Sequence, residues 1–237
     1  MKFLLDIIIL LIIALSIWSG YKRGVVMGIG GIIVLIIAVV VGNALSSAYS
    51  GEVVSAMRPF ANGYVDGLIS DEVYASGGEQ NELSTGDMLA QNPDLAVSAS
   101  TNALLELGLY SETAEQIALD AVDYAAENDA TLSDAVSEVL CQNIAFAGGF
   151  LLFFLLCAIV LTVLGNITNL SFRIPYMGSG NEIGGAIAGL IEGIMLALVF
   201  AWVLRFAGLL FPDGVLESTW FVSFLMEHNI LSSILGI

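Results

Sequence analysis

IAFAGGFLLFFLLCAIVLTVL, residues 144–164, is an uninterrupted apolar run without a single charged side chain. As a helix rising 1.5 Å per residue it covers about 30 Å, the thickness of a bilayer's hydrocarbon core. Three further stretches approach that length: residues 3–18, 25–45 and 183–211. Inside lipid every backbone N–H and C=O must be satisfied internally, and unbroken apolar runs do this as helices rather than as strands of a barrel. The expected fold is therefore an all-α integral membrane protein with four transmembrane helices.

Polar residues are concentrated in one block. Of 23 acidic residues, 17 lie between Glu52 and Glu138, an interval whose only basic residue is Arg58. This divides the chain into a helical hairpin at 1–45, an acidic, mainly helical extracytoplasmic insertion at 46–138, a second hairpin at 139–211 and an amphipathic tail at 212–237. A formal net charge of -17 excludes nucleic acid as a partner, because that affinity comes from Lys and Arg neutralising phosphate. Anionic lipid headgroups are disfavoured on the same ground.

Residues 3–18 are short enough to resemble the core of a signal peptide. They lack a small-x-small cleavage site and are followed at once by a second span, so a retained helix is expected. Residues 19–24 leave room only for a tight hairpin. The positive-inside bias then places Lys22, Arg23 and Arg173 in the cytoplasm, with the N-terminus, residues 46–138 and the C-terminus outside.

Within the acidic block, Val53, Met57, Phe60, Tyr64 and Leu68 recur at helical spacing, with Pro59 expected to break or kink the run. Residues 71–86 have the composition of a flexible connection. Thr113 with Gln116, and Thr131 with Asp134, have the spacing of helix-capping pairs. With few large apolar residues the block is expected to fold alone only marginally. The tail carries Trp220, Phe221, Phe224 and Leu225 but is interrupted by Glu217, Glu227 and His228, which suits an interfacial helix better than a fifth span.

Two glycine triplets stand out. Gly20, Gly24 and Gly28 share one helical face, and so do Gly185, Gly189 and Gly193; missing side chains at such spacing let helix backbones approach closely in lipid. The cytoplasmic ends of the first and fourth spans are therefore expected to pack together. Asp6, Glu192 and Arg205 are the candidate intramembrane charges. Asp6 and Arg205 both lie near the outer surface, where either an ion pair between the first and fourth helices or simple snorkelling of Arg205 is expected. Glu192 is either structural, as a partner of Lys22 or Arg23 or as a group near the headgroups of a helix that enters the bilayer later, or a group on a proton or ion path; the structural role is preferred because channels and pumps show several intramembrane polar groups.

No enzyme motif is present. His228 is the only histidine, so neither a histidine-paired metal site nor a catalytic triad can be assembled. The carboxylates lack calcium-loop spacing, and GIGG at 28–31 lies in a span rather than after a soluble strand, unlike a nucleotide loop. Cys141 and Cys157 would lie about 24 Å apart on one helix and cannot bridge. No catalytic residue, metal or cofactor is expected.

Asp6 in a short apolar helix, GYKRGVV at 20–26 and RIPYMGSGNEIGGAIAGLIEG at 173–193 resemble the colicin V production protein family. The resemblance spans residues 1–45 and 140–237. It implies a small bacterial inner-membrane protein connected with toxin production or export and envelope maintenance, without an assigned biochemical activity. The acidic insertion departs from smaller members, which join the second and third helices by a short loop. The resulting expectation is a non-enzymatic accessory or scaffold of the bacterial cytoplasmic membrane, with membrane lipid and either further copies of the chain or other envelope membrane proteins as partners. The alternative is a small transporter or channel subunit using Glu192.

Overall fold

The computed structural model describes residues 2–75, 92–167, 178–206, 219–228 and 231. Among them the secondary structure is all α-helical: α1 Lys2–Arg23, α2 Val25–Ala75, α3 Pro93–Glu106, α4 Ser111–Asn128, α5 Leu132–Ile167, α6 Gly178–Leu204 and α7 Phe221–Glu227. Four of these, α1, α2, α5 and α6, are long and apolar enough to cross a membrane. The chain is a multi-pass membrane protein.

The helices exceed the apolar runs that seed them. α1 continues through Ser19 to Arg23, and the hairpin to α2 is reduced to Gly24. Gly24 adopts φ +82°, a left-handed conformation that costs glycine little and other residues much. α2 runs for 51 residues with Pro59 inside it, so the expected interruption does not occur. Proline removes one intrahelical hydrogen bond, at a cost of about 3 kcal/mol. Burial of Val54 before Pro59 and of Val65 and Ile69 after it holds both flanks in register against that cost.

The chain forms two compact units. The first comprises residues 1–47, 148–204 and 215–237. Here α1 lies along α6, and α7 packs on both. Its interior holds Ile9, Phe150, Trp202, Val222 and Met226, all fully buried. The Phe150 ring meets Trp202 edge-on at 5.1 Å between centroids and stacks on Phe154 at 5.8 Å, both favourable aromatic geometries. Outward residues of the same helices, among them Leu11, Ile33, Ile36, Leu152, Ile159 and Ile187, are exposed, as a lipid-facing surface requires.

The second unit comprises residues 48–147 and 205–214. Val65 and Ile69 of α2, Ala99, Ala103 and Leu104 of α3, Ala114, Ile117, Ala118 and Ala121 of α4, and Val136 and Leu140 of α5 form one core. Alanine lets the helices approach closely, so the block gathers a core of its own despite few large apolar residues. Along the α2–α5 seam, Arg58 forms an ion pair with Glu138. Asn62 donates to Asp134 Oδ1 at 2.7 Å, and Ser133 donates to Asp66 Oδ1 at 2.8 Å.

One of the two expected caps forms. Asp134 donates its backbone N–H to Thr131 Oγ1 at 3.2 Å, and that hydroxyl donates to Asp134 Oδ2 at 2.8 Å, closing the first turn of α5. The Thr113–Gln116 cap does not. α4 begins earlier, with Tyr110 as its N-cap, which buries Thr113 inside the helix and leaves Gln116 donating to Asp120 at 3.0 Å. Asp71 and residues through Ala75 are still helical; the rest of the expected 71–86 connection lies outside the described residues.

Candidate functional site

The two glycine triplets meet. A methyl group built on Gly20 would come within 2.8 Å of Gly189 Cα, and one on Gly185 within 2.8 Å of Gly24 Cα. Gly189 opposes Ser16 and Gly20, Gly193 opposes Ile13 and Ser16, and Gly28 opposes Ala188. α1 and the start of α2 thus approach α6 backbone to backbone, closer than any side chain permits.

Polar contacts fasten the same end. Asn181 Oδ1 accepts the Val25 N–H at 3.0 Å, satisfying one of the donors left open where α2 begins. Tyr21 donates its hydroxyl to Glu182 Oε2 at 2.7 Å. Lys22 places its ammonium 4.3 Å from the Trp18 ring centroid, an i, i+4 cation–π contact on α1. Arg23 is exposed. Arg173 lies outside the described residues.

Asp6 and Arg205 each have a partner within their own unit. Asp6 accepts the backbone N–H groups of Trp220, Phe221 and Val222 at 3.2, 3.0 and 3.3 Å, closing the start of α7 with a carboxylate where the helix dipole favours negative charge. Arg205 is buried, 3.2 Å from Glu112 Oε2, with its guanidinium 5.6 Å from the Tyr110 ring centroid. Its C=O accepts the Tyr110 N–H at 3.4 Å. Each charge has a partner other than the one expected: Asp6 the backbone donors at the start of α7, and Arg205 the Glu112 carboxylate.

Glu192 forms no ion pair with Lys22 or Arg23. Its carboxylate lies half-buried against α2 at Gly31, where a methyl group would come 2.9 Å from Oε2. Gly31 thus makes the room that Glu192 occupies, a role its sequence neighbourhood did not disclose. The contacts of Asn181 with Val25 and of Tyr21 with Glu182 were likewise not legible; the sequence signal for Asn181 and Glu182 is a pair of polar groups at the mouth of a glycine-rich helix.

A second close crossing joins α2 to α5. Gly42 faces the backbone of Phe150 and Phe154, and Gly149 faces Ser46 Oγ. Beside it lies an apolar cavity of about 160 Å³ lined by Leu35, Phe154, Met195, Leu198, Val199 and neighbours. Among the described residues no group of three His, Cys, Asp or Glu could hold a metal ion, and Cys141 and Cys157 are free. His228 stacks on Phe224.

Comparison with curated proteins and with solved structures finds no match. The family model of the colicin V production protein matches residues 111–229, half of the chain. The match runs through α4, α5, α6 and α7 and includes the glycine-rich entry to α6, while the hairpin at 1–45 lies outside it. With its apolar helices and this match over half its length, the chain belongs to the colicin V production protein family.

Proposed function

We propose that this protein is a non-enzymatic accessory or scaffold of the bacterial cytoplasmic membrane, serving the toxin-production and envelope processes with which its family is connected. The observation that carries this reading is the use made of polar groups in and beside the spans. Asp6 closes α7, Asn181 closes α2, Tyr21 binds Glu182 and Arg205 binds Glu112. These contacts hold helices together, and the cavity beside the α2–α5 crossing is apolar, whereas a transport path needs a succession of polar groups or water.

The decisive experiment reconstitutes the purified chain and its Glu192→Gln variant in vesicles and follows a pH-sensitive dye. A scaffold gives no protein-dependent flux in either. A pH-dependent flux lost in a folded Glu192→Gln variant would establish the transporter reading instead.

In the proposed orientation Lys22, Arg23 and Arg173 face the cytoplasm, and the acidic insertion faces the opposite side. Single cysteines at Ser76 and Ser171, in a chain lacking Cys141 and Cys157, should label oppositely with an impermeant thiol reagent added to intact cells: Ser76 labels and Ser171 does not. The reverse pattern inverts the topology.

A further inference from the structure

The part of α2 that belongs to the second unit is apolar on two faces. One, with Val54, Val65 and Ile69, is buried within its own unit. The other is bare. Val53, Phe60 and Tyr64, at i, i+7 and i+11, form an exposed ridge in which Phe60 is 84% and Tyr64 60% accessible. Beside it a methyl group on Gly63 or Gly67 would meet nothing within 4 Å. A helix that is apolar around its circumference is ordinarily buried, and an aromatic ridge next to a glycine groove is a shape that accepts another helix. The contrast within the chain is direct: Gly189 and Gly193 of α6 are filled by α1, and Gly63 and Gly67 of this face by nothing among the described residues.

Lipid tails are a poor cover for this face. At the same turns of α2, Asp66 and its neighbour Asp134 are exposed, and carboxylates at that level exclude the hydrocarbon core.

Charge selects the occupant. The second unit contains two cations, Arg58 and Arg205, each already paired with a carboxylate. Exposed Glu52 and Asp71 bracket the ridge, about 29 Å apart along the helix, and Asp94, Glu115, Asp120, Asp123 and Glu127 leave the rest of the unit's surface acidic. A second copy would bring like charges together, which costs affinity. We infer that the Val53–Phe60–Tyr64 face of α2 docks a cationic amphipathic helix of another protein, its apolar side over Phe60 and Gly63 and its Lys or Arg residues toward Glu52 and Asp71. This deepens the scaffold reading, on which it rests, by naming the class of partner.

The test uses the full chain in phosphatidylcholine nanodiscs and three labelled synthetic peptides: an amphipathic Leu/Lys helix, its Leu/Glu counterpart, and a Leu/Lys peptide shuffled to abolish amphipathicity. Binding is read by fluorescence anisotropy against empty discs. The Leu/Lys helix should bind at least about tenfold more tightly than either control. Phe60→Ala with Tyr64→Ala, and separately Gly63→Leu, should each weaken it about tenfold or more, since exposed aromatics and a groove filler act without disturbing the buried face. Leu119→Ala, exposed on α4, should leave binding unchanged. Equal binding of the Leu/Glu peptide, or wild-type affinity in both face variants, overturns the proposal. So does efficient disulfide crosslinking between copies through Phe60→Cys in a chain lacking Cys141 and Cys157, which assigns the face to a second copy. A flux in the Glu192 assay with peptide binding intact sinks the scaffold reading alone; absent flux with absent binding sinks only the docking face.

Discussion

Asp6 Oδ1 accepts the backbone N–H of Phe221 at 3.0 Å, joining residues 215 positions apart. The same carboxylate takes the N–H groups of Trp220 and Val222, so one side chain of α1 satisfies three donors at the start of a seven-residue helix. Such a helix is too short to persist without tertiary support. Asp6→Ala should lower stability by about 1–2 kcal/mol, the range of a lost cap, and speed amide exchange at residues 220–227 ahead of the other helices. Asp6→Asn keeps an acceptor and should recover part of that loss. Unchanged exchange at 220–227 in Asp6→Ala would mean that α7 is held by packing alone.

Gly189 admits no side chain: a methyl there would come 3.0 Å from the Ser16 carbonyl carbon. Gly189→Ala should lower membrane yield and thermal stability, and Gly189→Leu should do so more severely, because backbone atoms cannot yield as a flexible side chain can. Gly148→Ala, where nothing lies within 4 Å, should be tolerated or slightly stabilising, since alanine is the better helix former by about 1 kcal/mol. Leu198→Ile keeps its volume beside the cavity and should also be tolerated. The readout is the midpoint of thermal unfolding in detergent, and equal midpoints for Gly189→Ala and Gly148→Ala would remove the close crossing.

Glu192 has no ion-pair partner among the described residues, so neutralising it removes a charge that is costly in an apolar span. Glu192→Gln should leave the unfolding midpoint unchanged or raise it, while Gly31→Leu, which fills the space the carboxylate occupies, should lower it. Combining them should not restore stability, because glutamine is as large as glutamate. A sharp drop in midpoint for Glu192→Gln would reveal a cation that holds this carboxylate.

Thr131 and Gln116 separate a formed cap from an unformed one. Thr131→Ala should cost about 1 kcal/mol through the lost acceptor for the Asp134 N–H, read from chemical denaturation. Gln116→Ala should change stability by less than about 0.5 kcal/mol, since its exposed side chain bonds Asp120 one turn away on the same helix. Comparable costs at both positions would contradict the cap assignment.

What the sequence determined by itself were properties that each residue carries locally. A long apolar run must be helical in lipid whatever surrounds it, so the existence of four spanning helices could be read directly, whereas their ends could not: the fourth ends at Leu204 rather than at 211. Spacing of four along a helix placed Gly185, Gly189 and Gly193 on one face, and Thr131 reaches Asp134 within a single turn. Tertiary structure decided which faces meet and where helices end. Pro59 remains helical because Val54, Val65 and Ile69 are buried around it, and α1 reaches Arg23 because Gly24 alone can make the turn. Asp6 serves α7 rather than Arg205, Arg205 serves Glu112, and Glu192 lies against Gly31 rather than a cation. Such partners lie far apart in the chain, and a charge settles on the nearest group that folding brings to it, a distance no local pattern encodes.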